Sequence, residues 1–174
     1  MKNYFKSDLK RILSSVPHPE GTSEAYFAID VILSRLHKIK STSKIPFEIK
    51  ITRGSGLELL FNRSVVIYDN TTNIMARIRA PSSNNQSVLI SSHWDSGIGS
   101  PGASDDGISV VTLLEILNTL VHNDSWIKDL KNDVIFMWNG GEELGLHFHR
   151  VFCVYFKVCW VLLCLYSKIH GQRT

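Results

Sequence analysis

Residues 88–138 read VLISSHWDSGIGSPGASDDGISVVTLLEILNTLVHNDSWIKDLKNDVIFMW, and the order of patterns in this stretch decides the fold. Val88–Ser92 is a short apolar run of the kind buried in a parallel sheet. Ser96–Gly107 is rich in Gly, Ser and Asp and reads as a loop. Ile108–Val121 is apolar almost all round, which predicts a helix buried between layers. Val134–Trp138 repeats the strand pattern and breaks at Gly140-Gly141. Strand, loop, helix, strand in this order is a parallel crossover. The expectation is an α/β fold, a three-layer αβα sandwich with a mixed sheet.

Upstream, Leu9, Ile12, Leu13 and Val16 recur at helical spacing with Ser7 as cap. Val16-Pro17-His18-Pro19-Glu20-Gly21 ends that helix, and His18 reads as part of a structural turn. A second helix is predicted from Thr22 or Ser23 to about Ile39, burying Phe27, Val31, Ile32, Leu36 and Ile39. Three strands follow, Phe47–Thr52, Ser64–Tyr68 and Asn73–Arg79, with turns at Gly54, Gly56 and Asp69-Asn70. Trp94 and Trp138 are expected in or near the core.

The 174 residues fit one domain, and 44% hydrophobic with 20% charged residues argues against disorder across most of it. A net charge of +3 with scattered Lys and Arg gives no nucleic-acid surface. The cysteines, Cys153, Cys159 and Cys164, all lie in the last stretch, so the main body has no disulfide framework. The opening residues carry no apolar run resembling a signal peptide or leading transmembrane helix. Sequons at Asn62, Asn70, Asn85 and Asn123 point weakly to a glycosylating compartment.

Acidic groups follow the carboxyl ends of both buried strands, the edge where open α/β sheets bind ligands. One set is His93-Trp94-Asp95 with Gly102-Ala103-Ser104-Asp105-Asp106-Gly107; the other is Asn139-Gly140-Gly141-Glu142-Glu143. One imidazole and several carboxylates form a mixed nitrogen and oxygen site suited to zinc. Asp95 is near enough to His93 to accept its second ring N–H and fix the tautomer. Asp105 has two oxygens able to bridge two cations. Glu142 and Glu143 are adjacent, so one can bind metal while the other takes a proton from water.

The strings HWDSGIGSPGASDDG and VIFMWNGGEELGL resemble the M28 metallopeptidases, most of all the endoplasmic-reticulum (Fxna-like) branch. PHPEGTSEAYFAIDVIL is similar to that branch's opening helices, so the likeness spans roughly residues 5–146. The resemblance implies a zinc aminopeptidase-like fold and removal of N-terminal residues from peptides. It implies that His93 binds one zinc and Asp105 bridges two. Glu142 would be the general base, Glu143 a ligand to the other zinc, and Asp95 the support of His93. It also implies a peptide substrate and a membrane protein of the endoplasmic reticulum with its peptidase domain lumenal.

Beyond Leu146 the family pattern stops, and no Asp or Glu follows Glu143. Residues 1–146 are therefore expected to be the front part of a peptidase domain, incomplete at its C-terminal side. Residues 147–174 form a divergent tail, apolar over Val151–Tyr166, expected to be disordered or membrane-contacting. His147 and His149 are alternative donors that nothing orients toward His93. With ligands absent, little or no activity is expected of this chain. A glutaminyl-cyclase-like acyltransferase and a non-catalytic pseudoenzyme or binding fragment remain as other readings.

Overall fold

The computed structural model describes residues 6–7, 10–11, 16–60, 64–83 and 86–143, with side chains for all of these except 58–60 and 64. Leu9, Ile12 and Leu13, the sequons at Asn62 and Asn85, His147, His149 and the boundary at 146 lie outside the described residues.

The helix α1 (Ser23–Thr42) begins where capping chemistry places it: the Thr22 hydroxyl accepts the Ala25 N–H at 3.2 Å. It buries Val31, Ile32, Leu36 and Ile39 as expected. Phe27 differs, at 45% exposed. One apolar stripe saturates the contact with the sheet, and Phe27 falls outside it.

Two long antiparallel strands follow, β1 (Glu48–Leu60) and β2 (Ser64–Ile78). The turns expected at Gly54, Gly56 and Asp69-Asn70 are instead one irregularity inside a continuous ladder. Asp69 and Asn70 sit opposite Ser55, and Asn70 takes a φ of 58°. The Ser55 hydroxyl donates to Asp69 at 2.6 Å and accepts the Asn70 N–H at 2.9 Å, satisfying the displaced backbone. A local reading of turn residues saw three strands because the bulge is made by pairing across 14 residues.

The strand β3 (Ser87–His93), the helix α2 (Ile108–His122) and the strand β4 (Asp133–Asn139) form the parallel crossover. Sheet order is β1-β2-β4-β3, with β2 antiparallel to β4, so the sheet is mixed. Both helices pack on one face, against Ile74, Ala76, Ile78, Phe136 and Trp138. Burying each isoleucine or phenylalanine of this set contributes roughly 1.5–3 kcal/mol. Helix α2 is not enclosed all round: Ile108 is 48% and Ile116 39% exposed. The opposite face buries Met75, Leu89, Ile135 and Met137.

Trp94 and Trp138 are buried, and each indole N–H finds a carbonyl, on Thr72 at 2.9 Å and Val110 at 3.1 Å. At the far end of β4, buried Asp133 pairs with Arg77 and accepts the Ala80 N–H at 2.8 Å. That anchors the strand so that its other end, at Asn139, is held in register with His93.

Candidate active site

The parallel register places His93, last residue of β3, beside Asn139, last residue of β4. Both chains leave the sheet at the same rim, and the Trp94 N–H donates to the Asn139 carbonyl at 2.9 Å. Ladder bonds end there, so side chains must hold the loops that continue from it.

Asp95 does much of that holding. It is 1% exposed, and its carboxylate accepts the backbone N–H of Glu142 at 3.4 Å and of Glu143 at 3.1 Å. The expected support of His93 takes an additional form. Nδ1 of His93 lies 3.0 Å from the backbone carbonyl of Asp95 and 3.5 Å from its carboxylate. Asp95 thus touches both the imidazole and the Glu142-Glu143 turn.

On its other side the imidazole faces acids. Nε2 of His93 is 3.0 Å from Asp105 Oδ1 and 3.8 Å from Glu142 Oε2. Asp105 is brought there by the turn Ala103–Gly107, which leads into α2, closed by Gly107 N–H to Gly102 C=O at 2.9 Å. His93, Asp95, Asp105 and Glu142 therefore converge. Glu143 stands apart, its carboxylate lying over Gly97. Among the described residues no group of three or more His, Cys, Asp or Glu is arranged as a ready metal cage.

The electrostatics reflect this crowding. Burial works to lower the His93 pKa, but the hydrogen bond and charge of Asp95, with the charges of Glu142 and Asp106, raise it to about 10. Glu142 is pushed up, first by burial and then by the charges of Asp95, Glu143 and Asp105, against the opposing pull of His93. Asp106 is likewise raised by burial, while Ser109 and His93 pull it down.

The chemistry of the donors, one imidazole among carboxylates, suits a divalent cation, while the described residues form no preassembled cage for one. Of the groups able to hold such an ion, His93 Nε2 and Asp105 Oδ1 are already side by side at 3.0 Å. Several carboxylates around one imidazole also leave excess negative charge for a cation to neutralise.

Two residues read only as a turn belong to this neighbourhood. His18 is 1% exposed and Glu20 lies half-buried beneath Gly140. Burial lowers the His18 pKa, opposed by the carbonyls of Trp94 and Val16. Burial raises that of Glu20 to about 7, aided by Asp95 and opposed by the N–H groups of Thr72 and Gly141. No local pattern marks them; only the similarity of the PHPEG run to the family's opening helices hinted that the segment mattered.

Residues 73–149 match the model of Peptidase family M28. The chain is 31% identical to the vacuolar membrane protease of Eremothecium gossypii, over 78% of this chain and 14% of that protein. It is also 31% identical to endoplasmic reticulum metallopeptidase 1 of Homo sapiens, over 78% of this chain and 15% of that one. The chain thus spans about one seventh of the length of these relatives. Among solved structures, the LapA aminopeptidase of Legionella pneumophila superimposes with a TM-score of 0.69 at 15% identity, covering 90% of this chain and 39% of that chain. A glutaminyl cyclase of Porphyromonas gingivalis gives 0.60 at 20% identity, covering 84% and 48%. At these identities the structural likeness is one of fold.

Proposed function

Because the chain belongs to peptidase family M28 over residues 73–149, we propose that its rim residues are those of a zinc-dependent exopeptidase acting on the N-terminal residue of peptides. The observation that carries this reading is the approach of His93 Nε2 to Asp105 at 3.0 Å and Glu142 at 3.8 Å, from loops after two different strands.

In this reading His93, Asp105 and Glu143 hold zinc, which when bound supplies Lewis-acid polarisation of the scissile carbonyl and acidifies water. Glu142 is the general base. Its carboxylate, with pKa raised by burial, takes the proton of the attacking water and returns it to the leaving amine. Asp95 orients His93 and holds the Glu142-Glu143 turn through their backbone N–H groups. For Glu143 to join the set, its side chain must swing from over Gly97.

His93, Asp105 and Glu143 are the ligands that this reading assigns, and with these alone a stable zinc pair is not expected and turnover should be little or none. Zinc calorimetry combined with an aminoacyl-coumarin assay tests both parts. Ion binding lost in His93→Ala and kept in Glu142→Gln supports the assignment of ligand and base. Two tight ions with turnover would overturn the expectation for this chain, and binding indifferent to His93 would overturn the site.

The fold likeness to a glutaminyl cyclase supports a second reading less well, since the M28 match and the relatives named as proteases favour hydrolysis. Pyroglutamate release from a glutaminyl peptide would reverse that order. A chain that binds a partner without metal would favour a non-catalytic role.

The relatives' names place them in the endoplasmic reticulum or at a vacuolar membrane, and we carry that membrane-associated location to this chain. Among the described residues no helix is long and apolar enough to cross a membrane.

A further inference from the structure

The segment between Pro17 and Gly21 makes contacts out of proportion to its length. The His18 N–H donates to the Ser96 hydroxyl at 2.8 Å, and the His18 carbonyl accepts the Ser96 N–H at 3.4 Å. Ser96 directly follows Asp95. The His18 ring closes against the next part of the same loop, its Cε1 lying 3.6 Å from where a Cβ on Gly102 would stand. Two residues further on, Glu20 Oε1 accepts the Thr72 N–H at 3.3 Å. Its other oxygen lies 2.6 Å from where a Cβ on Gly140 would stand, just before the Gly141-Glu142-Glu143 turn.

One short segment therefore touches the loop that carries Asp95, the stretch that leads to Asp105, and the turn that carries Glu142. Those loops have left the sheet and have no ladder bonds of their own. The segment is stiff: Pro17 and Pro19 fix their own φ angles, and Pro19 confines His18 to extended backbone. It is also tethered, because the Thr22 hydroxyl that caps α1 donates to the Pro19 carbonyl at 2.7 Å.

We propose that His18 and Glu20 are positioning residues, a bracket from the start of α1 that sets the two acid-bearing loops at their working distance. The inference rests on reading this rim as the reaction centre. Neither residue is assigned a contact with substrate; both act through the backbone of the loops.

The test is residue-resolved amide hydrogen exchange on the full chain, with no metal and no peptide. It therefore fails separately from the hydrolase reading. In Glu20→Ala, the Glu142 and Glu143 amides should exchange at least about tenfold faster, while the amides of β4 and the centre of α2 keep their protection. Glu20→Gln should restore protection to within about twofold, because its amide oxygen can still accept the Thr72 N–H. Acceleration confined to Thr72, or no rescue by glutamine, would overturn the proposal. Ser96→Ala is the second probe, independent of whether Glu20→Ala folds. It should speed exchange at Gly107, whose N–H closes the Asp105 turn, and unchanged exchange there would equally overturn the bracket.

Discussion

The carboxylate of Asp95 accepts the backbone N–H of Glu143 at 3.1 Å, across 48 positions of sequence. This bond ties the loop after β3 to the turn after β4, and the same side chain stands 3.5 Å from His93 Nδ1. Removing that carboxylate leaves two backbone donors without their acceptor and takes a negative charge from beside the imidazole, whose Nδ1 keeps the Asp95 backbone carbonyl at 3.0 Å.

Asp95→Ala is expected to destabilise the chain by about 2–4 kcal/mol in urea unfolding, since Asp95 is buried and hydrogen bonds to a charged acceptor are the stronger kind. Asp95→Asn keeps one acceptor and should cost about half as much. It should also drop the His93 pKa, because the hydrogen bond and charge of Asp95 are what raise it. A His93 titration by NMR that stayed near 10 in Asp95→Asn would refute this account.

Gly140 and Gly97 make a matched pair. A Cβ on Gly140 would stand 2.6 Å from both Glu20 Oε2 and Trp94 Cζ2 and 3.0 Å from the Thr72 carbonyl. Gly140→Ala should therefore cost about 1–3 kcal/mol by overpacking. The atoms nearest a Cβ on Gly97 belong to the movable Glu143 carboxylate, the first at 3.4 Å, so Gly97→Ala should stay within about 0.5 kcal/mol of the parent. Equal thermal shifts for the two variants would contradict this difference in packing.

Glu20 gives the chain a pH signature. Its pKa rises from 4.5 to about 7, chiefly by burial, so the folded chain binds this proton more tightly than the unfolded one. The stabilisation is fully present below pH 4.5 and is lost as pH climbs through about 7. The whole effect is up to about 3 kcal/mol. Glu20→Gln should remove it, becoming more stable than the parent at pH 8 and matching it near pH 4.5. Parallel stability curves for the two proteins across that range would rule the shift out.

Zinc and a proton should compete for His93. With a pKa raised to about 10, the ring of the chelator-treated chain is protonated at pH 7.5, whereas a zinc ligand must be neutral. Binding should then release close to one proton from His93, and the apparent affinity should rise about tenfold per pH unit between pH 7 and 9. Calorimetry in two buffers of different ionisation heat reads the proton directly. Binding without proton release would show that His93 is not a ligand.

Much of the architecture was legible in sequence because it is local. The apolar runs at Val88–Ser92 and Val134–Trp138, with a helix between, allow one handed crossover, and that crossover brings His93 beside Asn139. Thr22 reads as a cap because a hydroxyl just before an apolar stripe meets the free N–H groups of the first turn. The same local patterns put His93, Asp105 and the Glu142-Glu143 pair at one rim of the sheet.

What the chain could not disclose residue by residue are the relations that depend on pairing between distant segments. The Ser55–Asp69 bulge arises from strand register, and the exposure of Phe27 and Ile116 from helices that use only one face. The placement of Glu143 over Gly97 and of Glu20 under Gly140 comes from how two loops close on each other. Backbone periodicity and capping act over a few residues and leave a trace in composition. The direction of a side chain at a loop end is set by whichever groups the finished sheet brings opposite it, and only the folded molecule supplies those.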